Sequence, residues 1–121
     1  MNALVATAHG VYEIDVENED VLGLDADASL ETRVRDSARE LIVEIVEGRP
    51  PLRVSRDGGQ TWEEAGGGLP LGRAVAVHPD EPELVLYAGR NRLFVSLDGG
   101  RFWRALVLEL PEIQAVAWTT T

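Results

Sequence analysis

Val54-Ser55-Arg56-Asp57-Gly58-Gly59-Gln60-Thr61-Trp62 returns forty-one residues later as Val95-Ser96-Leu97-Asp98-Gly99-Gly100-Arg101-Phe102-Trp103. The shared pattern, V-S-x-D-G-G-x-x-W, joins a β-type run to an aromatic restart through an Asp-Gly-Gly turn, which reads as a hairpin. An Asp carboxylate accepts hydrogen bonds from the backbone N–H groups of its own turn. Glycine takes positive φ at no steric cost, and an indole on the returning strand covers the turn. The repeat predicts an all-β chain assembled from one recurring unit.

The unit is most complete between residues 73 and 109. Arg73 to His78 is a β run stopped by Pro79, and Asp80-Glu81-Pro82 turns the chain. Glu83 to Ala88 forms a second strand, turned by Gly89-Arg90-Asn91; Arg92 to Ser96 leads into the Asp-Gly-Gly turn, and Phe102 to Leu108 follows it. Four strands joined by short hairpins, a (innermost) to d (outermost), make one blade of a β-propeller, and a period near 41 suits such a blade. One period earlier, about residues 31–65, strand b falls in Glu40 to Gly48, c at Leu52 to Ser55 and d at Trp62 to Ala65. Strand a is then Thr32 to Arg35, although Ser29 to Glu40 is also rich in helix formers with Leu30, Val34 and Leu41 at roughly helical spacing. The repeat decides for a strand.

A third copy, residues 3–25, offers Ala3 to Thr7 as b, Val11 to Asp15 as c and Val21 to Asp25 as d, with a decayed turn at Asp15 to Asp20 and no strand a. At the other end, Gln114-Ala115-Val116-Ala117-Trp118 repeats Arg73-Ala74-Val75-Ala76-Val77, a strand a without a blade of its own. The inventory is three blades of strands, cut so that the first and last pieces complement each other. Rings usually hold at least four blades, and a shared blade removes an exposed sheet edge. The expectation is a head-to-tail homodimer in which Ile113 to Trp118 of each chain completes the partner's first blade, giving six blades. A nine-bladed trimer and a fragment of a longer propeller are the alternatives. Trp118 is expected to be buried against the partner, with Thr119 to Thr121 fraying beyond it.

Composition narrows the function. The 121 residues suit one domain, and 21 acidic against 11 basic residues, every one of them Arg, give a net charge of −10. Such a surface repels phosphate backbones and anionic lipid, so neither nucleic acid nor membrane is an expected partner. No long apolar run or signal-peptide pattern appears, which leads to an expected cytoplasmic location. With no cysteine and two histidines, neither a metal site nor a cofactor is expected. His78 reads as a hydrogen-bonded turn residue. Gly66-Gly67-Gly68 lacks the context of a phosphate loop and reads as a flexible d-to-a connection.

Ser55, Asp57, Gly59, Thr61 and Trp62 fill every fixed position of the Asp-box, S-x-D-x-G-x-T-W, and Ser96, Asp98, Gly100 and Trp103 fill all but the Thr, where Phe102 stands. The chain thus resembles the sialidase-type (BNR) β-propellers. The resemblance implies that the boxes are structural turns, and that ligands bind at the opposite mouth, built from strand a and the b-to-c and d-to-a loops. That mouth gathers Arg49, Arg90 and Arg92 from b-to-c loops and Arg33 and Arg35 from strand a. Guanidinium groups offer planar paired donors to carboxylate, sulfate or phosphate; the competing role is pairing with Glu31, Glu44 and Glu47. A sialidase-like site resembles an arginine cluster with a Tyr nucleophile, its Glu partner and an Asp acid/base. Tyr12 and Tyr87 read instead as blade-core aromatics, and no such set carries over. The reading is a non-enzymatic oligomeric binding scaffold, with an anionic ligand or glycan as the expected class of ligand. The alternatives are a sialidase-like glycoside hydrolase and a protein-assembly factor.

Overall fold

In the computed structural model, which describes residues 1–119, every regular element is a strand. In chain order these are β1 Asn2–Thr7, β2 Gly10–Asp15, β3 Asp20–Asp25, β4 Arg35–Ala38, β5 Leu41–Ile45 and β6 Leu52–Ser55, followed by β7 Glu63–Ala65, β8 Ala74–Val77, β9 Val85–Ala88, β10 Leu93–Ser96, β11 Arg104–Ala105 and β12 Ile113–Trp118. They form three four-stranded antiparallel sheets in a propeller-like arrangement: β12-β1-β2-β3, β4-β5-β6-β7 and β8-β9-β10-β11. The helical alternative for residues 29–40 is not adopted. Strand a of the middle unit lies three residues later than its expected start, at Arg35 rather than Thr32, because Arg35 to Ala38 pair with Glu44 to Leu41. Just before it, the Val34 carbonyl accepts the Ile45 N–H of β5 at 2.7 Å, while the Arg33 carbonyl serves another edge and accepts the Val75 N–H of β8 at 2.9 Å.

Alternation fills the spaces between sheets. The third sheet is apolar on both faces, so it lies between the other two. Ala74, Ala76, Leu86, Ala88, Leu93 and Val95 pack on Ala3, Val5, Ile14, Val116 and Trp118 of the first sheet. Val75, Val77, Val85, Tyr87 and Phe94 pack on Leu41, Val43, Leu52 and Val54 of the second. One face of each outer sheet is therefore left without a sheet against it. On the first sheet it carries Leu4, Ala6, Val11 and Ala115, covered in part by Ala28 and Leu30. On the second it carries Arg35, Ile42, Glu44 and Arg53, the register neighbours across β4, β5 and β6.

The terminal strand does complete the first sheet. Ala3 pairs with Trp118, Leu4 with Ala117 and Val5 with Val116. The expected donor was a partner chain, whereas here β12 lies on β1 of its own chain. The connector from Asp25 to Arg35 permits this, since about nine extended residues reach on the order of 30 Å. Trp118 is buried against Ala76 and His78 of its own chain rather than against a partner. Thr119, expected to fray, donates both its N–H and its hydroxyl to the Asn2 carbonyl, at 3.0 and 3.1 Å. Thr120 and Thr121 lie outside the described residues. The Gly66 to Gly68 connection is a tight turn: Gly66 and Gly68 have φ of 78° and 89°, and the Leu69 N–H returns to the Gly66 carbonyl at 3.0 Å, which seats Leu69 in the core.

Candidate ligand-binding face

The repeated turns are built as hydrogen-bonded braces. The Ser55 hydroxyl donates to Asp57 at 2.8 Å and accepts the Gly59 N–H at 2.7 Å, and the Asp57 carboxylate also takes the N–H groups of Gln60 and Thr61 at 3.0 and 2.9 Å. The Thr61 hydroxyl adds a further short bond to Asp57, and Trp62 Nε1–H closes on the Gly59 carbonyl at 3.2 Å. The second copy repeats each bond through Ser96, Asp98, Gly100, Arg101, Phe102 and Trp103, except the hydroxyl that Phe102 lacks. Gly58, Gly59, Gly99 and Gly100 all have φ between 73° and 98°, where a side chain is strained. In the decayed first turn, Asp15 collects the N–H groups of Glu17 and Asn18 and the Asn18 amide.

These bonds favour the charged carboxylates. The Thr61 hydroxyl and N–H hold Asp57 down at about 2; the Phe102 N–H and the Asn18 amide lower Asp98 and Asp15. A carboxylate so locked is a poor proton donor near neutrality. Burial acts oppositely on Tyr87, pushing its phenol up to about 12 while the hydroxyl donates to the Pro70 carbonyl. Tyr12 packs beside the core between the first and third sheets. His78 Nδ1 accepts the N–H groups of Asp80 and Glu81, both at 3.1 Å, as its turn role requires.

A cleft of about 330 Å³ opens where the innermost strands converge, lined by Leu30, Glu31, Arg33, Asp36, Ala76, Val116, Trp118 and their neighbours. Its polar pole is internally paired: Arg33 reaches Asp36 at 3.3 Å and Glu31 at 3.4 Å, while the other Asp36 oxygen accepts the Val77 N–H at 2.7 Å. Asp36 thereby satisfies the free inner edge of β8 together with the Arg33 carbonyl. Thr32 does likewise for β12, donating its hydroxyl to the Gln114 carbonyl at 2.8 Å.

Of the five arginines expected at the mouth, only Arg33 lines this cleft. Arg35 lies on the uncovered face of the second sheet, paired with Glu44 at 3.0 Å; Glu44 also takes Arg53 at 2.9 Å. Arg49 donates to the Leu69 carbonyl at 3.4 Å. Arg90 is exposed and Arg92 half-buried, and among the described residues neither side chain has an ion-pair partner. Their loop is fixed by its backbone, with the Arg90 carbonyl accepting the Ile113 N–H at 2.7 Å and the Asn91 carbonyl that of Leu110 at 2.9 Å. Sequence reasoning missed Asp36, Arg53 and the part of Trp118 in the cleft wall, whereas Glu44, expected as an arginine partner, does pair with Arg35 and Arg53. The signal for the first two lay in the repeat itself, because they occupy places where the neighbouring unit carries Ala76 and Phe94.

Trp62 and Trp103 hold equivalent places in the two turns but face different surroundings. Trp103 joins the core between the third and second sheets, edge-on to Tyr87 at 5.9 Å. Trp62 lies on the uncovered side of the second sheet, roofed by the Arg53 guanidinium at 4.1 Å and flanked by Arg35 at 5.7 Å. Comparison with known proteins returns no matching family model, no similar curated protein and no similar solved structure.

Proposed function

We propose that this chain is half of a six-bladed Asp-box propeller of the sialidase-like type. It acts as a non-enzymatic scaffold that closes by exchanging β12 with a second copy and offers arginines at the channel mouth to an anionic ligand or glycan. The observation that carries this reading is the β12-β1 pairing. Within the chain Ala3 pairs with Trp118 and Val5 with Val116; a second copy offers an identical β12 to the same edge, and exchange of identical elements is a low-cost route to a dimer. In the exchanged ring the 26–34 segment becomes an ordinary connector between adjacent blades. The apolar free face of the first sheet then meets the free face of the second, where Trp62 stands as Trp103 does at the filled seam.

That seam is polar. Arg35, Glu44 and Arg53 stand where the filled seam has Val75, Tyr87 and Phe94, so ring closure gains little from apolar burial and is sensitive to salt. The hydrolase alternative is disfavoured because Tyr87 is a buried, hydrogen-bonded phenol and the carboxylates of the cleft are engaged by Arg33 and backbone.

Light scattering on a sizing column tests the assembly: two chains per particle at high protein concentration, falling to one on dilution or at high salt, is expected. A mass of one chain at every concentration overturns it. Incubation with a panel of chromogenic glycosides tests the chemistry, and turnover abolished by Arg33→Ala refutes the scaffold reading. Saturable binding of a sulfated or carboxylated glycan, weakened by Arg33→Ala or Arg90→Ala, supports it.

A further inference from the structure

The outer strands of the three sheets differ in a way that the ring does not explain. β7 has three residues and β11 two, the usual way to blunt an edge. β3 has six, Asp20-Val21-Leu22-Gly23-Leu24-Asp25, every one exposed, and among the described residues no strand pairs with its outer side. Val21, Leu22 and Leu24 are 48%, 53% and 49% exposed, and Val107, at 74%, stands close by, its N–H donating to Glu19 at 2.7 Å. A long, apolar, unpaired edge is a template for another strand.

We infer that β3 is a docking edge for an extended segment of another protein that has alternating apolar residues flanked at both ends by Arg or Lys. Charge decides the occupant. Carboxylates stand at both ends of the strand, Asp20 and Asp25, with Glu19 and Asp27 beyond them on a chain of net charge −10. A second β3 laid antiparallel sets Asp20 against Asp25 twice, and a parallel one sets like beside like, so the edge rejects its own copy. A basic-flanked strand satisfies both ends while its backbone continues the ladder. A bulge at Leu22 sets Asp20 and Asp25 opposite Asp15 and Val11 of β2, so on a regular docked strand the flanking cations belong four residues apart, about 13 Å along an extended chain. Docking lies on the outer rim, independent of ring closure and of the cleft.

The probe is a fluorescent synthetic peptide with two arginines four residues apart around alternating valine and threonine, followed by anisotropy. Its counterpart has glutamates in place of the arginines. The expected result is saturable binding of the arginine peptide that weakens as salt rises, with slowed amide hydrogen exchange at residues 20–25. The double variant Asp20→Arg/Asp25→Arg, whose changes lie at exposed strand ends, is expected to lose about tenfold in affinity for that peptide and to gain the glutamate peptide. No binding by the native chain, equal binding of both peptides, or self-association abolished by the double variant overturns the inference.

Discussion

Replacing Trp118 by Ala removes the largest side chain that β12 contributes to the core. The indole is 7% exposed, packs at 5.6 Å from the His78 ring, and donates Nε1–H to the Ala76 carbonyl at 3.1 Å. Truncating a buried Trp costs about 3–5 kcal/mol, against a total of roughly 5–15 kcal/mol for an ordinary domain. With about 3–6 °C per kcal/mol at this chain length, the melting midpoint falls by roughly 10 °C or more. Circular dichroism followed through a urea titration measures the cost. Trp118→Phe keeps most of the packing and loses the hydrogen bond, so it is expected to cost about 1–2 kcal/mol. If Trp118→Ala costs under about 1 kcal/mol while the β spectrum is intact, β12 is not docked and the reading of the first sheet fails.

Phe102→Thr restores the hydroxyl missing from the second turn and removes a ring that is 79% exposed; a small rise in urea midpoint is expected, and a fall contradicts the equivalence of the turns. Gly72→Ala places a Cβ 2.6 Å from the Tyr87 hydroxyl oxygen, so a loss of about 1–3 kcal/mol is expected and an unchanged melt refutes the packing. Asp57 is depressed from its ordinary 3.8 to about 2, so its turn contributes fully above 3.8 and loses that contribution as pH falls towards 2. Stability measured through that window is expected to drop less in Asp57→Asn than in the native chain; parallel curves refute the brace.

The repeated turn made the four-strand unit legible because its chemistry is local: Ser, Asp and Gly bond within five residues, and the same bonds appear in both copies. Strand a of the middle unit was less legible. Arg35-Asp36-Ser37-Ala38 has no apolar alternation, since Asp36 caps the β8 edge and Arg35 pairs with Glu44. The pairing of Ile113 to Trp118 with the first strand followed from the period, but which chain supplies the strand did not, because one sequence encodes the same ladder in both cases. The expected arginine cluster was legible only as loop and strand-a positions, and Arg33 alone of its five members lines the cleft. Side-chain direction separates Arg33 in the cleft from Arg35 on a sheet face, and that depends on the three-residue shift of β4.

A disulfide trap decides the central claim. The chain has no cysteine, and Leu4 and Ala117 are register partners across β1 and β12. Antiparallel partners lie about 4.5–5.5 Å apart at Cα, within the range a disulfide bridges. The double variant Leu4→Cys/Ala117→Cys, oxidised at high protein concentration and run on a non-reducing gel, is predicted to migrate as a covalent pair of chains. Closed disulfides confined to single chains contradict the exchange, and free thiols contradict the pairing itself.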